Sequence, residues 1–228
     1  MKQLTRREFI SCSAKLGGTA IGTLALMTGL PMPEISGAER VMFPESKCGI
    51  EGQNKHRVLV AYASRCGSTG GVAEAIGQTL FNNGVGVDVR LVENVKDLSP
   101  YQSVVVGSAI RRSKWLPEAM EFVEANREFL KEVPVAYFLT CLTLSRNTEE
   151  RRVKANGYLD PILKAVPQVQ PVNTGLFAGV LDYSKLSWGM RMVMRRKMDK
   201  FGVKEGDYRD WEAIRAWTSL VGPRLLPG

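Results

Sequence analysis

The sequence predicts an α/β fold in which helices cover both faces of a parallel β-sheet. Its 228 residues are 44% hydrophobic and 24% charged, as is typical of a globular protein with one sizeable core. From about residue 57 onward, short apolar runs alternate with segments of helical spacing. Gly, Pro and Asn mark the breaks between them. Such alternation indicates right-handed β-α-β connections and therefore a parallel sheet.

The N-terminal residues predict an export signal that precedes the fold. Arg6 and Arg7 lie before an uncharged stretch at 16–30, and the small residues at 36–38 suit a signal peptidase. The paired arginines and mild hydrophobicity resemble a twin-arginine (Tat) signal over 1–38. This resemblance implies the Tat machinery as a partner, and a location in the periplasm or at the outer face of the inner membrane. An uncleaved N-terminal membrane anchor is the alternative.

A linker and the first strand and helix follow the signal. Residues 39–55 combine Pro, Gly and charged residues without a period, which predicts a linker before a domain at 56–228. The apolar run at 57–62 predicts a strand, and the spacing at 71–80 predicts a helix. An Asn-Asn-Gly sequence then breaks that helix.

The remainder of the domain repeats this alternation. Strands are predicted where short runs are rich in β-branched and aromatic residues, and helices where apolar residues recur every three or four positions. Pro117 marks the first turn of a helix, and Pro161 marks a kink or an end. The predicted strands are 87–92, 103–106, 135–139 and 176–180, and the predicted helices are 117–130, 148–166, 188–201 and 211–221.

Charge and composition exclude several classes of function. The formal net charge is +8, and the chain without residues 1–38 keeps +6, which favours an anionic ligand, an acidic partner or an anionic membrane surface. A single histidine excludes a zinc site built from several histidines, and no metal site is predicted. Nucleic acid is a poor candidate, because no basic sheet face with clustered aromatic residues is evident.

The loops that follow the first, third and fourth strands are the predicted ligand site, because parallel α/β sheets bind ligands beyond the carboxyl ends of their strands. The first loop, 63–71, combines hydroxyl groups, glycines and the start of a helix, which suits a phosphate. It is neither a Walker A sequence nor a G-x-G-x-x-G motif. A plain strand-to-helix turn capped by the same residues is the alternative.

Three segments together resemble the flavodoxins. Residues 62–69, followed by 72–76, are similar to their phosphate loop. Residues 106–111, followed by 115–119, are similar to their second flavin loop, and 138–143 to the third. The likeness spans about 56–221 and implies a flavodoxin-like, doubly wound, five-stranded parallel sheet of order 2-1-3-4-5 that binds FMN. The implied cofactor-binding residues are Ser64, Arg65, Cys66, Gly67, Ser68, Thr69, Ser108, Ala109, Ile110, Arg111, Trp115, Thr140, Cys141, Leu142 and Thr143.

The resemblance also implies which of these residues contact the phosphate and which contact the ring. Ser64, Ser68 and Thr69, with nearby N–H groups, are expected to hold the phosphate. Residues 108–111 and 140–143 are expected to give backbone contacts to the edge of the isoalloxazine ring. No covalent nucleophile is evident, and no catalytic residue is assigned.

Four side chains have two interpretations each. Arg65 either adds charge to the phosphate site or faces solvent, and Trp115 either stacks near the ring or packs in the core. Arg111 and Arg112 either stabilise an anionic reduced flavin and receive acidic substrate groups, or are solvated.

The cysteines leave a similar choice. Cys66 and Cys141 both fall in the flavin loops, and three cysteines remain beyond the signal, so at least one is free or pairs between chains. In an oxidising compartment a disulfide between Cys66 and Cys141 is one interpretation, and two small buried thiols are the other.

The C-terminal part resembles a more specific group, the menaquinone-dependent protoporphyrinogen IX dehydrogenases. The likeness lies in 177–183, in the basic segment after it and in 210–212. It implies an FMN-dependent oxidoreductase that passes electrons from a reduced substrate to a quinone or a protein acceptor. The export signal departs from that family, which works at the cytoplasmic side of the membrane, and this puts the porphyrin substrate in doubt. An exported flavodoxin-type electron carrier and a flavin-free binding module are the alternatives.

The basic helix at 188–201 has an apolar side. At helical spacing, one face collects Met190, Val193, Met194, Met198 and Phe201, with basic residues elsewhere. Such a helix either lies on an anionic membrane or packs its methionine face on the domain.

Overall fold

The computed structural model describes residues 41–49 and 56–226. The predicted signal at 1–38 lies outside these ranges. Within them, no helix has the length and apolar character needed to cross a membrane.

The main sheet has seven strands in the order β1-β3-β2-β4-β6-β7, with β5 paired to β4. The strand bounds are β1 Ser46–Cys48, β2 Arg57–Ala63, β3 Gly86–Leu91, β4 Ser103–Arg111, β5 Lys114–Trp115, β6 Val135–Cys141 and β7 Asn173–Ala178. Strands β2, β3, β4, β6 and β7 are mutually parallel, which confirms the predicted sheet and its 2-1-3-4-5 order. A separate pair, β8 Val180–Leu181 and β9 Gly206–Asp207, is antiparallel.

The helices lie close to their predicted positions. Their bounds are α1 Ser68–Asn82, α2 Pro117–Ala125, α3 Arg127–Leu130, α4 Glu149–Asn156, α5 Asp160–Ala165, α6 Trp188–Lys200 and α7 Trp211–Leu225. The predicted helix 117–130 is divided at Asn126, and the predicted helix 148–166 is divided before Asp160. Pro161 therefore sits in the first turn of a new helix, where its missing N–H costs nothing, and does not kink a continuous one.

Alternate residues of the strands face two separate cores. Val58, Val60 and Tyr62 of β2 pack with α1 and α7, whereas Leu59 and Ala61 pack with α2, α4 and α5. Every residue of β2 and β6 is buried, as expected for strands covered on both faces. The two helix layers therefore hold the strand ends, and the loops after them, in one position.

The segment predicted as an irregular linker contributes a strand to the sheet. Ser46–Cys48 forms β1 and pairs antiparallel with β3, and Cys48 is only 1% exposed in the core. The preceding residues cross the first loop, where Tyr62 Oη donates to the Pro44 carbonyl at 2.9 Å. Residues 41–48 are called the arm below. A three-residue edge strand is too short to leave a clear alternating pattern, because its register is set by the neighbouring strand.

Candidate functional site

The first loop leaves the end of β2 and enters α1 through a left-handed glycine. Gly67 has a φ of 78°, a conformation that favours glycine, and its N–H donates to Ser64 Oγ at 3.0 Å. The first turn of α1 contains no acidic residue, and no side-chain cap bond is formed at Gly67. The free N–H groups and positive partial charge of this helix end therefore suit an anion.

A pair of threonines joins α1 to the end of β6. Thr69 Oγ1 and Thr140 Oγ1 lie 2.7 Å apart, and both residues are buried. The bond places the start of α1 over the carboxyl end of β6. It also means that the Thr69 hydroxyl, expected at the phosphate, is already engaged with the third loop.

The second loop is a tight β-hairpin between β4 and β5. Arg112 and Ser113 form its tip, with φ values of 52° and 64°, a left-handed pair that non-glycine residues rarely adopt. Ser108 Oγ holds the base of the hairpin, because it accepts from the Leu116 N–H at 2.9 Å and donates to the Ala109 carbonyl at 2.9 Å. Arg111 and Arg112 are exposed at the tip, while Ile110 is half-buried.

Trp115 packs in the core below the hairpin. It is 3% exposed and meets the Tyr137 ring edge-on, with centroids 5.3 Å apart. Burial also raises the pKa of the Tyr137 hydroxyl above its usual range. Of the two interpretations of Trp115, core packing is the one that this arrangement favours.

Arg65 at the outer side of the first loop forms an ion pair with Glu118 in the first turn of α2. The Arg65 side chain is about half exposed, so solvent screens the pair. The Glu118 carboxylate therefore offsets part of the positive charge that Arg65 brings to the first loop.

The third loop is a single 3₁₀ turn, Leu142–Ser145, which follows β6. The Thr143 hydroxyl lies 3.0 Å from the Tyr158 hydroxyl. Ser145 Oγ is buried and has no hydrogen-bond partner among the described residues. A buried hydroxyl without a partner is costly, and it is a group that a ligand at this loop could satisfy.

The three described cysteines, Cys48, Cys66 and Cys141, form no disulfide bond with one another. Burial raises the pKa of both Cys66 and Cys141, and Lys185 and Arg111 partly oppose the shift at Cys66. Cys141 is buried, as the second interpretation expects, whereas Cys66 is half-buried and lines the cleft.

A cleft of about 620 Å³ opens beside the first loop. Cys66 and Ser68 line one side of it, Met42 and Phe43 of the arm line another, and Lys185 and Arg209 close it. Arg209 stacks on Trp211 at 4.3 Å and pairs with Asp207 at 2.5 Å. The Arg209 guanidinium lies close against Gly71, so a side chain at this position would require the arginine to shift.

Some of these residues escaped the sequence analysis. The first loop is approached by three distant parts of the chain: the arm, Lys185 and Arg209. A local sequence pattern cannot predict contacts between segments so far apart. Ser145 lies two residues beyond the predicted third-loop set, so a wider window would have included it. The three predicted loops do converge at one edge of the sheet, because they follow β2, β4 and β6, which are neighbours there. The described residues contain no cluster of His, Cys, Asp and Glu able to hold a metal ion.

Comparison with known proteins gives three kinds of likeness. Residues 59–206 match the flavodoxin domain family. The chain is 27% identical over 165 residues to "Protoporphyrinogen IX dehydrogenase [quinone]" of Escherichia coli strain K12, covering 69% of this chain and 90% of that protein. It is 27% identical over 177 residues to the protein of the same name from Leishmania major, covering 72% and 73%. A short-chain flavodoxin associated with a bacterial microcompartment matches with a TM-score of 0.48 and 12% identity, over 75% of this chain and 99% of its own.

Proposed function

The chain belongs to the flavodoxin domain family, and on that premise we propose that it binds FMN and acts as a flavin-dependent oxidoreductase. The observation that supports this most directly is the loop between β2 and α1. A hydroxyl-rich, glycine-containing turn leads there into a helix that has neither an acidic first turn nor a side-chain cap. Phosphate is the group that such a turn suits best.

The donor set fits a flavin phosphate. Ser64 and Ser68 are half-buried at the loop, and the first-turn N–H groups of α1 meet no side-chain cap and no acidic residue, as suits an anion. Lys185 and Arg209 line the adjoining cleft, where their ion pairs with Asp182 and Asp207 offset their charge. The two serines and the N–H groups would hold the phosphate.

The other two loops fit the ring. The hairpin tip at 111–114 and the 3₁₀ turn at 142–145 stand beyond neighbouring strands, with the unpartnered Ser145 hydroxyl in the second of them. Arg111 and Arg112 place two exposed cations at the hairpin. They would receive acidic groups of a substrate or partner, and would favour negative charge at the flavin edge. Bound FMN supplies the redox centre, and the residues here bind it, orient it and tune its potential.

For the reaction, we propose transfer of electrons from a reduced substrate to a quinone. The support is the name shared by the two relatives, protoporphyrinogen IX dehydrogenase [quinone], at 27% identity. Protoporphyrinogen has two propionates, so the Arg111–Arg112 hairpin offers it matching charge. An electron carrier without its own substrate is the second candidate.

The flavin part is tested by titration of the purified apoprotein with FMN, followed by the change in flavin fluorescence and absorbance. Ser68→Asp places a carboxylate at the start of α1 and should weaken FMN binding at least 100-fold, since it repels the phosphate and occupies the N–H groups. Ser187→Asp is the control, because it makes the same change at the start of another helix, α6. Riboflavin, which lacks phosphate, should bind the two variants alike.

Absence of FMN binding by the unmodified chain would overturn the redox proposal and leave a flavin-free binding module. If FMN binds, anaerobic mixing with protoporphyrinogen and a menaquinone analogue separates the two candidates. Quinone-dependent oxidation supports the dehydrogenase. Reduction by a redox protein alone supports the carrier.

We further propose that residues 1–38 direct export by the Tat route. Cell fractionation tests this, with Arg6→Lys and Arg7→Lys together as the variant. Retention of the variant inside cells while the unmodified chain is exported is the expected result, and equal distribution of the two would contradict it.

A further inference from the structure

Helix α6 exposes an unusual number of apolar side chains. Trp188 is 75% exposed, Val193 62%, Met192 56% and Met190 43%, and all four lie in its first half. One of the two interpretations of this helix, in which Met190, Val193, Met194, Met198 and Phe201 pack together on the domain, does not fit these exposures. Only Met194 and Met198 turn inward, and Phe201 is also exposed.

The second half of the same helix is basic. Arg196, Lys197 and Lys200 are exposed, and none of the three forms an ion pair with any described residue. The apolar and basic residues are centred about seven residues apart, which is about 10 Å along a helix. The exposed surface is therefore apolar at one end and cationic at the other.

The inward side of α6 is firmly held. Met194 and Met198 pack with Leu181, Tyr183 and Val203, and Arg195 lies over the Tyr183 ring at 5.4 Å. The exposed residues are thus presented by an anchored helix and not by a loose segment.

This anchored cluster adjoins the third loop of the candidate site. Leu142 packs against it, and Arg146 Nη2 donates to the Gly202 carbonyl at 2.9 Å, just beyond the end of α6. A surface bound by α6 would therefore lie on the side of the molecule that carries the third loop.

We propose that α6 docks the protein on an anionic lipid surface, with Trp188, Met190, Met192 and Val193 in the interfacial layer and Arg196, Lys197 and Lys200 at the lipid phosphates. Exposed aromatic and aliphatic side chains beside unpaired cations match the two layers of such a surface. A second copy of this chain is a poor occupant, because it would bring the same cations together. The proposal goes beyond the redox function, and vesicle binding requires no flavin, so the two can fail separately.

The test is binding of the full chain to phosphatidylcholine vesicles with and without phosphatidylglycerol. Arg196→Gln with Lys197→Gln should lower partition onto the anionic vesicles about 30-fold, since each cation near such a surface contributes roughly a factor of five. Arg152→Gln with Lys154→Gln is the matched control, two exposed cations on α4. It should bind as the unmodified chain does.

The apolar half has an equally close control. Val193→Ser should weaken binding about tenfold through loss of buried apolar area. Val153→Ser makes the same change at a residue that is 64% exposed, against 62% for Val193, and should have no effect. Trp188 emission, taken as the difference from Trp188→Phe, should shift to the blue on binding anionic vesicles.

Equal binding by the α6 variants and their controls would overturn the proposal, as would unchanged Trp188 emission. A dimer seen by light scattering that the α6 variants alone dissociate would assign this face to a second copy instead. Binding to an acidic protein but not to vesicles would assign it to a protein partner.

Discussion

At the residue scale, Asp88 satisfies a buried cation far from the candidate site. Asp88 is 3% exposed on β3, Arg57 is 8% exposed on β2, and Arg57 Nη2 lies 2.5 Å from Asp88 Oδ1. Tyr101 Oη donates to the other carboxylate oxygen at 2.8 Å. The carboxylate thereby satisfies a cation and a hydroxyl near the amino ends of the strands.

Asp88→Ala should lower the free energy of unfolding by about 3–5 kcal/mol, because it leaves the Arg57 guanidinium buried without its partner. Urea denaturation measures this. Glu128→Ala is the control, since its ion pair with Lys131 is exposed to solvent and should contribute far less to stability. Equal destabilisation by the two variants would contradict the argument.

Cys66 offers a prediction in pH. Burial raises the pKa of the Cys66 thiol. At a given pH, less of Cys66 is therefore thiolate in the folded protein than in the unfolded protein. The iodoacetamide alkylation rate of Cys66, read by peptide mass spectrometry, should therefore rise at higher pH in the folded protein than in urea. Restricted access alone would lower the plateau without moving the midpoint, so coincident midpoints would contradict the prediction.

At the element scale, the β4–β5 hairpin uses residues that its geometry disfavours. Tight turns of this kind require positive φ at both central positions, and Asn and Gly normally supply it. Arg112 and Ser113 occupy them here, with an exposed cation retained at the tip. The conformation is held by the strand pairing on either side and by Ser108 at the base. The hairpin tip therefore costs the fold some stability, and it is also the point where the Arg112 cation is exposed to solvent.

Ser113→Gly should raise the free energy of unfolding by about 1 kcal/mol, because glycine adopts the left-handed conformation without the Cβ clash. Thermal unfolding of the apoprotein measures the gain. Gly189→Ala is the opposite change, made inside helix α6. There, replacing glycine should raise stability, because alanine has the higher helix propensity. A lower melting temperature for Ser113→Gly would show that the serine side chain itself holds the turn.

At the scale of the whole molecule, the arm ties a distant part of the chain to the first loop. Glu45 accepts from the Leu91 N–H at 3.0 Å and from Asn94 Nδ2 at 3.1 Å, at the end of β3. Two residues earlier, Phe43 lines the cleft beside the loop. A Cβ at Gly67 would lie 2.7 Å from the Met42 carbonyl oxygen, so the loop must remain glycine to pass beneath the arm.

Glu45→Ala should loosen the arm. We expect amide exchange at Leu91 to become about tenfold faster, in line with loss of a hydrogen bond to a charged acceptor, and FMN binding to weaken with it. Hydrogen-exchange mass spectrometry and the FMN titration measure the two effects. Glu93→Ala is the control, because Glu93 is exposed on the neighbouring 3₁₀ turn. Unchanged exchange at Leu91 would show that β1 pairing alone positions the arm.

Local patterns were enough to predict the parallel sheet, its strand order through the resemblance, and the three loops. The apolar run of β2 and the helical spacing of α1 each span enough residues to reveal their period, and a parallel sheet then brings the loops to one edge. Contacts between distant segments were beyond such patterns. The arm on β3, the Thr69–Thr140 bond and the Arg209 approach to Gly71 each join residues remote in sequence, so only the folded chain selects them. The same holds for α6, whose periodicity identified an amphipathic helix, whereas packing on Tyr183 and Val203 decided which methionines are buried.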